Sequence, residues 1–534
     1  MSLKDTLPGM AIRCAAALLV AVLASVNYAA GIAEPHQAVW DESYYLTSTQ
    51  RYEDGIAQFA SHPPLGLMLI AAGDTLLQVN RGIDTRALGW DKKISGDKLP
   101  RGFSFAGERA ASAAFAVGGA VAFFALMLTL TQSAIAAALL ANLYVFDNAL
   151  ITQFRAAQLD AFQVFFVICA LLCFVAGILR AARNPYAAGS YVLSFLFGLS
   201  CGLAGMVRLN ALALAPLGIM LVFQRTRAWW NESASESLNE SPSTGWNEHA
   251  LAKLAGTKPS GRGPSGRGKL AALAALDAGV MLAGGLLAVT AVFSLYVAFA
   301  HRPPDPVTPA GVKDNDFVSA PYREYLQGTR PFSSPVVLAA TQDYGRFIAA
   351  DFISMTRTDP NASSALQWPL NRRTINYRWD TRGAVTRYVQ LSGNLFGWLL
   401  ALTAPVAALG LMVLQKLRPS VPTDPRRRTL MSMLLFQYIA FMAVHAWLGT
   451  QRVMYVYHYF IGLLLAFCLV PLVWREAAAR WPPLRARIGP LLAGVTVLLL
   501  ASFLFYAPLT FHRPLTHAQC ERRNIFQHVV ECRP

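Results

Sequence analysis

The chain has 534 residues, 54% of them hydrophobic and only 14% charged, with a formal net charge of +16 and a mean hydropathy of +0.38. Soluble domains carry about 25% charged residues, so this composition excludes a water-exposed globule and requires a surface that meets lipid. The basic excess is a poor match to nucleic acid, because Arg and Lys fall between apolar blocks, where they orient membrane spans.

The first apolar run, Met10 to Ile32, has Lys4 and Arg13 at its start. Ala29-Ala30-Gly31 resembles a cleavage site, but the run exceeds the roughly 7–15 residues of a signal-peptide core. A retained anchor with a cytoplasmic N-terminus is expected. A polar loop, 33–105, follows. Further apolar blocks lie near 107–131, 133–147, 158–179, 188–206, 209–224 and 271–299, then 394–415, 429–448, 453–473 and 488–507. Each approaches the ~20 residues a membrane helix needs, which predicts about eleven spans.

Connections on the N-terminal side of the membrane hold Arg180 and Arg183, Lys416, Arg418 and Arg426 to Arg428, and Arg475, Arg480, Arg485 and Arg487. This agrees with the positive-inside rule. The expected domains are a membrane module over 1–224 and a cytoplasmic linker over 225–270. A second membrane module over 271–507 and an extracytoplasmic tail over 508–534 complete the chain. The linker contains GRGPSGRGK and is rich in Ser, Gly, Glu and Asn, a composition that predicts disorder. The segments 33–105 and 300–393 are the two sizeable external loops.

Cys14, Cys169, Cys173, Cys201 and Cys468 sit in apolar blocks and read as small core residues. Cys520 and Cys532 lie in the polar tail, and an extracytoplasmic tail would let them pair as a disulfide.

Ionisable groups are costly inside a bilayer, so charges at span ends on one side are the informative ones. On the outer side these are Asp41 and Glu42, His62-Pro63-Pro64, Glu108 and Arg109, Asp147, Asn148, Arg155 and Asp160, Arg208 and Asn210, and Arg452, Tyr457 and His458. Adjacent residues on a helix point in different directions, so Asp41 and Glu42 divide into a general base and a supporting group. A capping pair is the bland alternative for this dipeptide, and a rigid turn is the reading for His62-Pro63-Pro64. The arginines suit a lipid phosphate, although each alone is more often a snorkelling or ion-paired side chain.

WDESYYLTSTQRYEDGIAQFASHPPLGLMLIA at 40–71 resembles the first external loop of the protein O-mannosyltransferases, with its DE pair and HPPL motif. LYVFDNALITQFRAAQLDAFQVFF at 143–166 is similar to that family's DNA-L-x-x-Q-x-R signature. LQWPLNRRTINYRW, LSGNLFGWL and VYHYFIGLLLAF, starting at 366, 391 and 456, are similar to its WPL, GNP-x-x-W and L-Y-H-Y stretches. The resemblance implies an all-α polytopic GT-C fold with its site on the external face, a polyprenyl-phosphate sugar donor, usually mannose, and a Ser or Thr hydroxyl of a protein as acceptor. Asp41 corresponds to the catalytic Asp and Glu42 to its neighbour. Arg109, Arg208 and Arg452 are expected around the donor phosphate. His62, Pro63, Pro64, Asp147, Asn148, Arg155, Asp160, Trp368, Asn394, Tyr457 and His458 are expected to support the site.

This chain has Gly66 and Leu67 where the family commonly has Lys, Leu395 where it has Pro, and no His before Trp368. The segment 300–393 is too short for the MIR module of eukaryotic members. These departures imply a divergent bacterial member in the plasma membrane. An inverting transfer without cofactor is expected, with a divalent ion at the DE pair as the alternative. An enzyme that glycosylates lipid A or another envelope glycan is the nearest alternative function, and a transporter is the alternative of another class.

Overall fold

In lipid, backbone polar groups must bond within their own segment, so apolar runs of about twenty residues become helices. The computed structural model describes residues 3–94, 98–181, 185–239, 264–354, 358–418, 424–525 and 530–533. Among these, ten helices are long and apolar enough to cross a membrane, and an eleventh span is counted if one bent helix pair is included. The expected linker lies largely outside the described residues, though the helix before it extends beyond 224.

The first half contains α1 (Leu3–Tyr28), α2 (Glu42–Glu53), α3 (Leu65–Leu77), α4 (Ala106–Thr131), α5 (Ala134–Val145), α6 (Asn148–Arg155), α7 (Asp160–Ala181), α8 (Ala188–Val207) and α9 (Ala215–Asn239). The second half has α10 (Pro264–Phe299), then the seven-residue helices α11 (Pro309–Asn315) and α12 (Ala320–Leu326) and the 21-residue α13 (Ser334–Ser354). The spans α14 (Leu395–Leu417), α15 (Pro425–Leu448), α16 (Phe460–Arg480) and α17 (Pro482–Thr510) follow, and the five-residue α18 (His517–Glu521) lies in the tail.

Helix α4 packs against α1, α3, α5 and α7, and α8 packs between α7 and α10. Helix α16 is apolar all round from Phe460 to Trp474, with its charges confined to the last turns, and is almost wholly enclosed by its neighbours. The third expected span, 133–147, is not one straight helix. It stops at Val145 and turns by 62° into α6. Asp147 causes the break: its backbone is extended, and its side chain accepts from Leu150 N at 3.0 Å, capping the new helix.

The candidate spans are all helical as expected, but residues outside them add a small antiparallel sheet. Strands β1 (Ile375–Arg382), β2 (Val385–Leu391) and β3 (Pro514–Thr516) pair in that order. Ile375 faces Leu391, and Val385 faces Thr516, so the tail completes a sheet begun in the segment before α14. A disulfide joins Cys520 to Cys532, with Cα atoms 5.8 Å apart. It packs with Tyr388, Tyr506 and Leu515. A separate core gathers Phe59, Tyr296, Tyr322 and Tyr344 around the loop after α2.

Candidate active site

The chain enters α2 through an unusual turn. Trp40 has φ of +53°, a left-handed conformation that is costly for a bulky residue. Its indole is clamped by stacking on Tyr377, with centroids 5.0 Å apart, and by an edge contact to Tyr455 at 5.7 Å. This turn places Asp41 at the N-cap of α2, where its side chain makes no capping bond. The carboxylate is therefore not consumed by the helix it precedes. Desolvation raises the Asp41 pKa to about 6, with Arg208 and Lys93 pulling it down and Asp160 and Asp359 pushing it up.

Glu42 points elsewhere and is fully buried. It accepts from Val39 N and Ala157 N, each at 2.7 Å, and from the Arg109 guanidinium at 2.7 and 2.8 Å. The remaining Arg109 donors reach the carbonyls of Ile32, Pro35 and Gln37. Arg109 is buried with its donors engaged by protein, so it has nothing left to offer a donor phosphate. The expectation placing it at the phosphate is corrected on that ground. It ties the loop after α1 to α2 and α4.

Arg208 and Arg452 differ from it. Both line a cavity of about 260 Å³ with His62, Asn210, Asp351 and His458. Arg208 lies 3.1 Å from Asp160, donates to the Tyr45 hydroxyl at 3.3 Å and sits over the Tyr457 ring at 5.3 Å. Its Nε is buried without a partner, as is the Nε of Arg452. Burial, followed by the fields of these two arginines, holds the His62 pKa well below its usual value. Two guanidinium groups thus face this cavity, with Asp351 in its lining, an arrangement suited to an anion.

An apolar groove of about 1140 Å³ opens between α8, α9 and α10, lined by residues such as Phe197, Met206, Leu282 and Val289. Leu209 lines both spaces, so the groove meets the positive cavity there. Gly205 borders the groove, and a Cβ built on it would touch nothing within 4 Å.

The other expected residues fall into two groups. Asp160, Tyr457, His458 and His62 join Asp41, Arg208 and Arg452 around the site. A hydrogen-bond chain reaches Asp160 from β1, because the Tyr377 hydroxyl donates to Gln153, whose amide donates to Asp160 at 2.6 Å. Trp368 stacks on His458 at 6.3 Å and donates to Ser363 Oγ at 2.9 Å. Pro63 and Pro64 precede α3, with Pro64 at its N-cap.

Asp147, Asn148, Arg155 and Asn394 instead build the scaffold. Trp398 Nε1 donates to Asp147 at 2.8 Å, and the Asn148 amide donates to Thr510 Oγ1 at 2.9 Å. Asn394 caps α14 while donating to the carbonyls of Phe146 and Leu499. Arg155 holds the end of α1 through the carbonyls of Asn27, Ala30 and Gly31. Sequence reasoning missed Trp40, Lys93, Asp359, Tyr377, Gln153 and Tyr455. The aromatic ones and Gln153 lay inside or beside the quoted motifs; Lys93 and Asp359 carried no pattern.

The bundle of candidate spans, the site at the start of α2 and the bent helix pair define a polytopic helical membrane protein. A profile described as dolichyl-phosphate-mannose-protein mannosyltransferase matches residues 18–255. The C-terminal four TMM region of protein-O-mannosyltransferase matches 349–529. The chain belongs to the protein O-mannosyltransferase family.

Protein O-mannosyl-transferase 2 of Danio rerio is 29% identical over 208 residues, which is 38% of this chain and 25% of that protein. The match thus spans a quarter of that relative's length. The S. cerevisiae protein O-mannosyltransferase Pmt1-Pmt2 complex bound to the sugar donor shares the fold, with a TM-score of 0.73 at 12% identity, covering 99% of this chain and 93% of that one. The Archaeoglobus fulgidus oligosaccharyltransferase is looser, with a TM-score of 0.42 at 10% identity over 97% of this chain and 57% of that one.

Proposed function

We propose that the chain transfers a mannosyl group from a polyprenyl-phosphate carrier to a Ser or Thr hydroxyl of protein, with inversion at the anomeric carbon. The observation that carries this reading is the sequence of spaces described above. Asp41, free of any capping bond, stands in the field of Arg208, whose cavity meets an apolar groove at Leu209. The groove suits a polyprenyl tail, the cavity its phosphate, and Asp41 the hydroxyl that attacks.

In this mechanism the acceptor oxygen forms a bond to the anomeric carbon as the bond from that carbon to the phosphate oxygen breaks. The hydroxyl proton passes to Asp41. The electron pair leaves with the phosphate, and Arg208 and Arg452 stabilise its growing charge. Glu42 and Arg109 act on Asp41 only by fixing the turn before it. The membrane module over 1–224 would carry the base and its scaffold, and the module over 271–507 Arg452 and the first two strands of the sheet. The family and the alternation of basic connections support a site on the external face of a bacterial plasma membrane, with a cytoplasmic N-terminus.

The test uses labelled polyprenyl-phosphate mannose and a Ser/Thr peptide with membranes holding wild type or Asp41→Asn. The variant should fold, insert and transfer nothing. Near-normal turnover would remove Asp41 from the mechanism, and label entering lipid but not peptide would move the acceptor to the cell envelope. Loss of activity in EDTA, restored by Mn²⁺ or Mg²⁺, would add a metal to the reaction.

A further inference from the structure

A second polar cavity lies at the end of the bundle away from Asp41. Its volume is about 600 Å³, and it opens among the ends of α4, α7, α15 and α16. Arg180, Arg426, Arg427 and Arg475 line it, with Asp424 as the acidic residue beside them. Orienting spans needs only positive charge near this face. It does not need guanidinium groups from three different helices to converge on one hollow.

The four arginines are not equivalent. Arg475 Nη1 donates to the Leu130 carbonyl at 2.8 Å, and Arg427 Nη1 donates to the Arg475 carbonyl at 3.2 Å. Arg427 also lies 3.8 Å from Asp424 and 4.0 Å from Glu476. These two are tethered in place. Arg180 and Arg426 are exposed and make no side-chain hydrogen bond among the described residues. The hollow thus has a preset positive floor and two arginines able to close on an anion.

Its position and its walls name the ligand class. Arg180 stands in the last turn of α7 and Arg426 in the first turn of α15, the level at which lipid head groups meet a spanning helix. Leu130, Leu179, Leu430 and Leu472 form apolar wall beside the arginines. A ligand that fits both parts carries a phosphate on an apolar chain. We propose that this cavity binds the phosphate of an anionic phospholipid. The site is separate from the donor cavity at Arg208 and Arg452, and it does not depend on the mannosyl-transfer reading.

The test measures thermal stabilisation of the full purified chain in mixed micelles doped with phosphatidylglycerol, phosphatidylcholine or inorganic phosphate. Wild type should be stabilised by phosphatidylglycerol alone. Arg180→Gln with Arg426→Gln should raise the half-saturating phosphatidylglycerol fraction roughly thirty-fold. Arg485→Gln with Arg487→Gln removes the same charge from the start of α17, outside the cavity, and should change nothing. An equal response to phosphatidylcholine, an unchanged response in the cavity variant, or an equal loss in the control variant would overturn the site. Stabilisation by inorganic phosphate as strong as by the lipid would overturn its assignment to phospholipid. Both variants leave Arg427 and Arg475 in place, so the fold keeps its internal tethers.

Discussion

Arg109 grips Glu42 through two hydrogen bonds of 2.7 and 2.8 Å while its other donors hold three backbone carbonyls of the loop after the first span. The pair is buried on both sides, and removing one partner strands the other charge. Glu42→Gln or Arg109→Met should each destabilise the protein by about 3–5 kcal/mol. Thermal melting in detergent measures this. The fraction that remains folded should keep its KM for the lipid donor. A large rise in that KM for Arg109→Met, without loss of stability, would return Arg109 to the phosphate.

The pH dependence follows from Asp41. Its pKa in the folded chain is raised from 3.8 to about 6, and a general base works only when ionised. Transfer, read as kcat/KM, should fall about ten-fold per pH unit below that value. The stability effect has the opposite sign. The folded state binds this proton more tightly than the unfolded chain does, so ionisation costs stability. That cost is absent below pH 3.8 and complete above about 6. Asp41→Asn should therefore be more stable than wild type by about 1–2 kcal/mol at neutral pH. Melting curves across pH should show the advantage vanishing as the medium becomes acidic.

The two cavity arginines should separate by experiment. Arg452 carries a buried Nε with no partner and has no carboxylate in an ion pair among the described residues. Arg452→Gln should lower kcat/KM roughly 10–100-fold, the loss of one or two charge-assisted hydrogen bonds, with melting unchanged. Arg208→Gln also abandons Asp160, its buried neighbour at 3.1 Å. It should lose activity and stability together. Kinetics and melting on the same two preparations give the comparison.

Gly205 offers a test of the groove. Because a Cβ there meets open space, Gly205→Leu should fill the groove without disturbing helix packing. KM for a long-chain polyprenyl donor should rise about ten-fold, the cost of displacing two or so buried methylenes, while a donor with a very short chain is unaffected. Equal effects on both donors would detach the groove from the lipid tail.

The spans were readable because twenty apolar residues have one solution in lipid. The bend at Asp147 was not, since 133–147 has the hydropathy of a short span and only the cap to Leu150 reveals the break. The sheet escaped notice for a related reason: β2 gains its outer neighbour from residues 514–516, far along the chain. At the site, Asp41 and Glu42 are adjacent letters sent to different environments by one step at a helix start. The motif named both, but only the fold shows which keeps its carboxylate unbonded to its helix. The occupation of Arg109 had no sequence signature at all, because backbone carbonyls of Ile32, Pro35 and Gln37 carry no side-chain identity. Lys93 and Asp359 reach Asp41 through space from loops whose own composition is ordinary.

The helix Pro482–Thr510 holds pieces of the chain laid down far earlier in synthesis. Thr510 and Phe503 grip Asn148, Leu499 grips Asn394, and the strand just beyond completes the sheet whose first strand supplies Tyr377. A nascent chain therefore inserts its Asp41 loop long before the wall behind it can close.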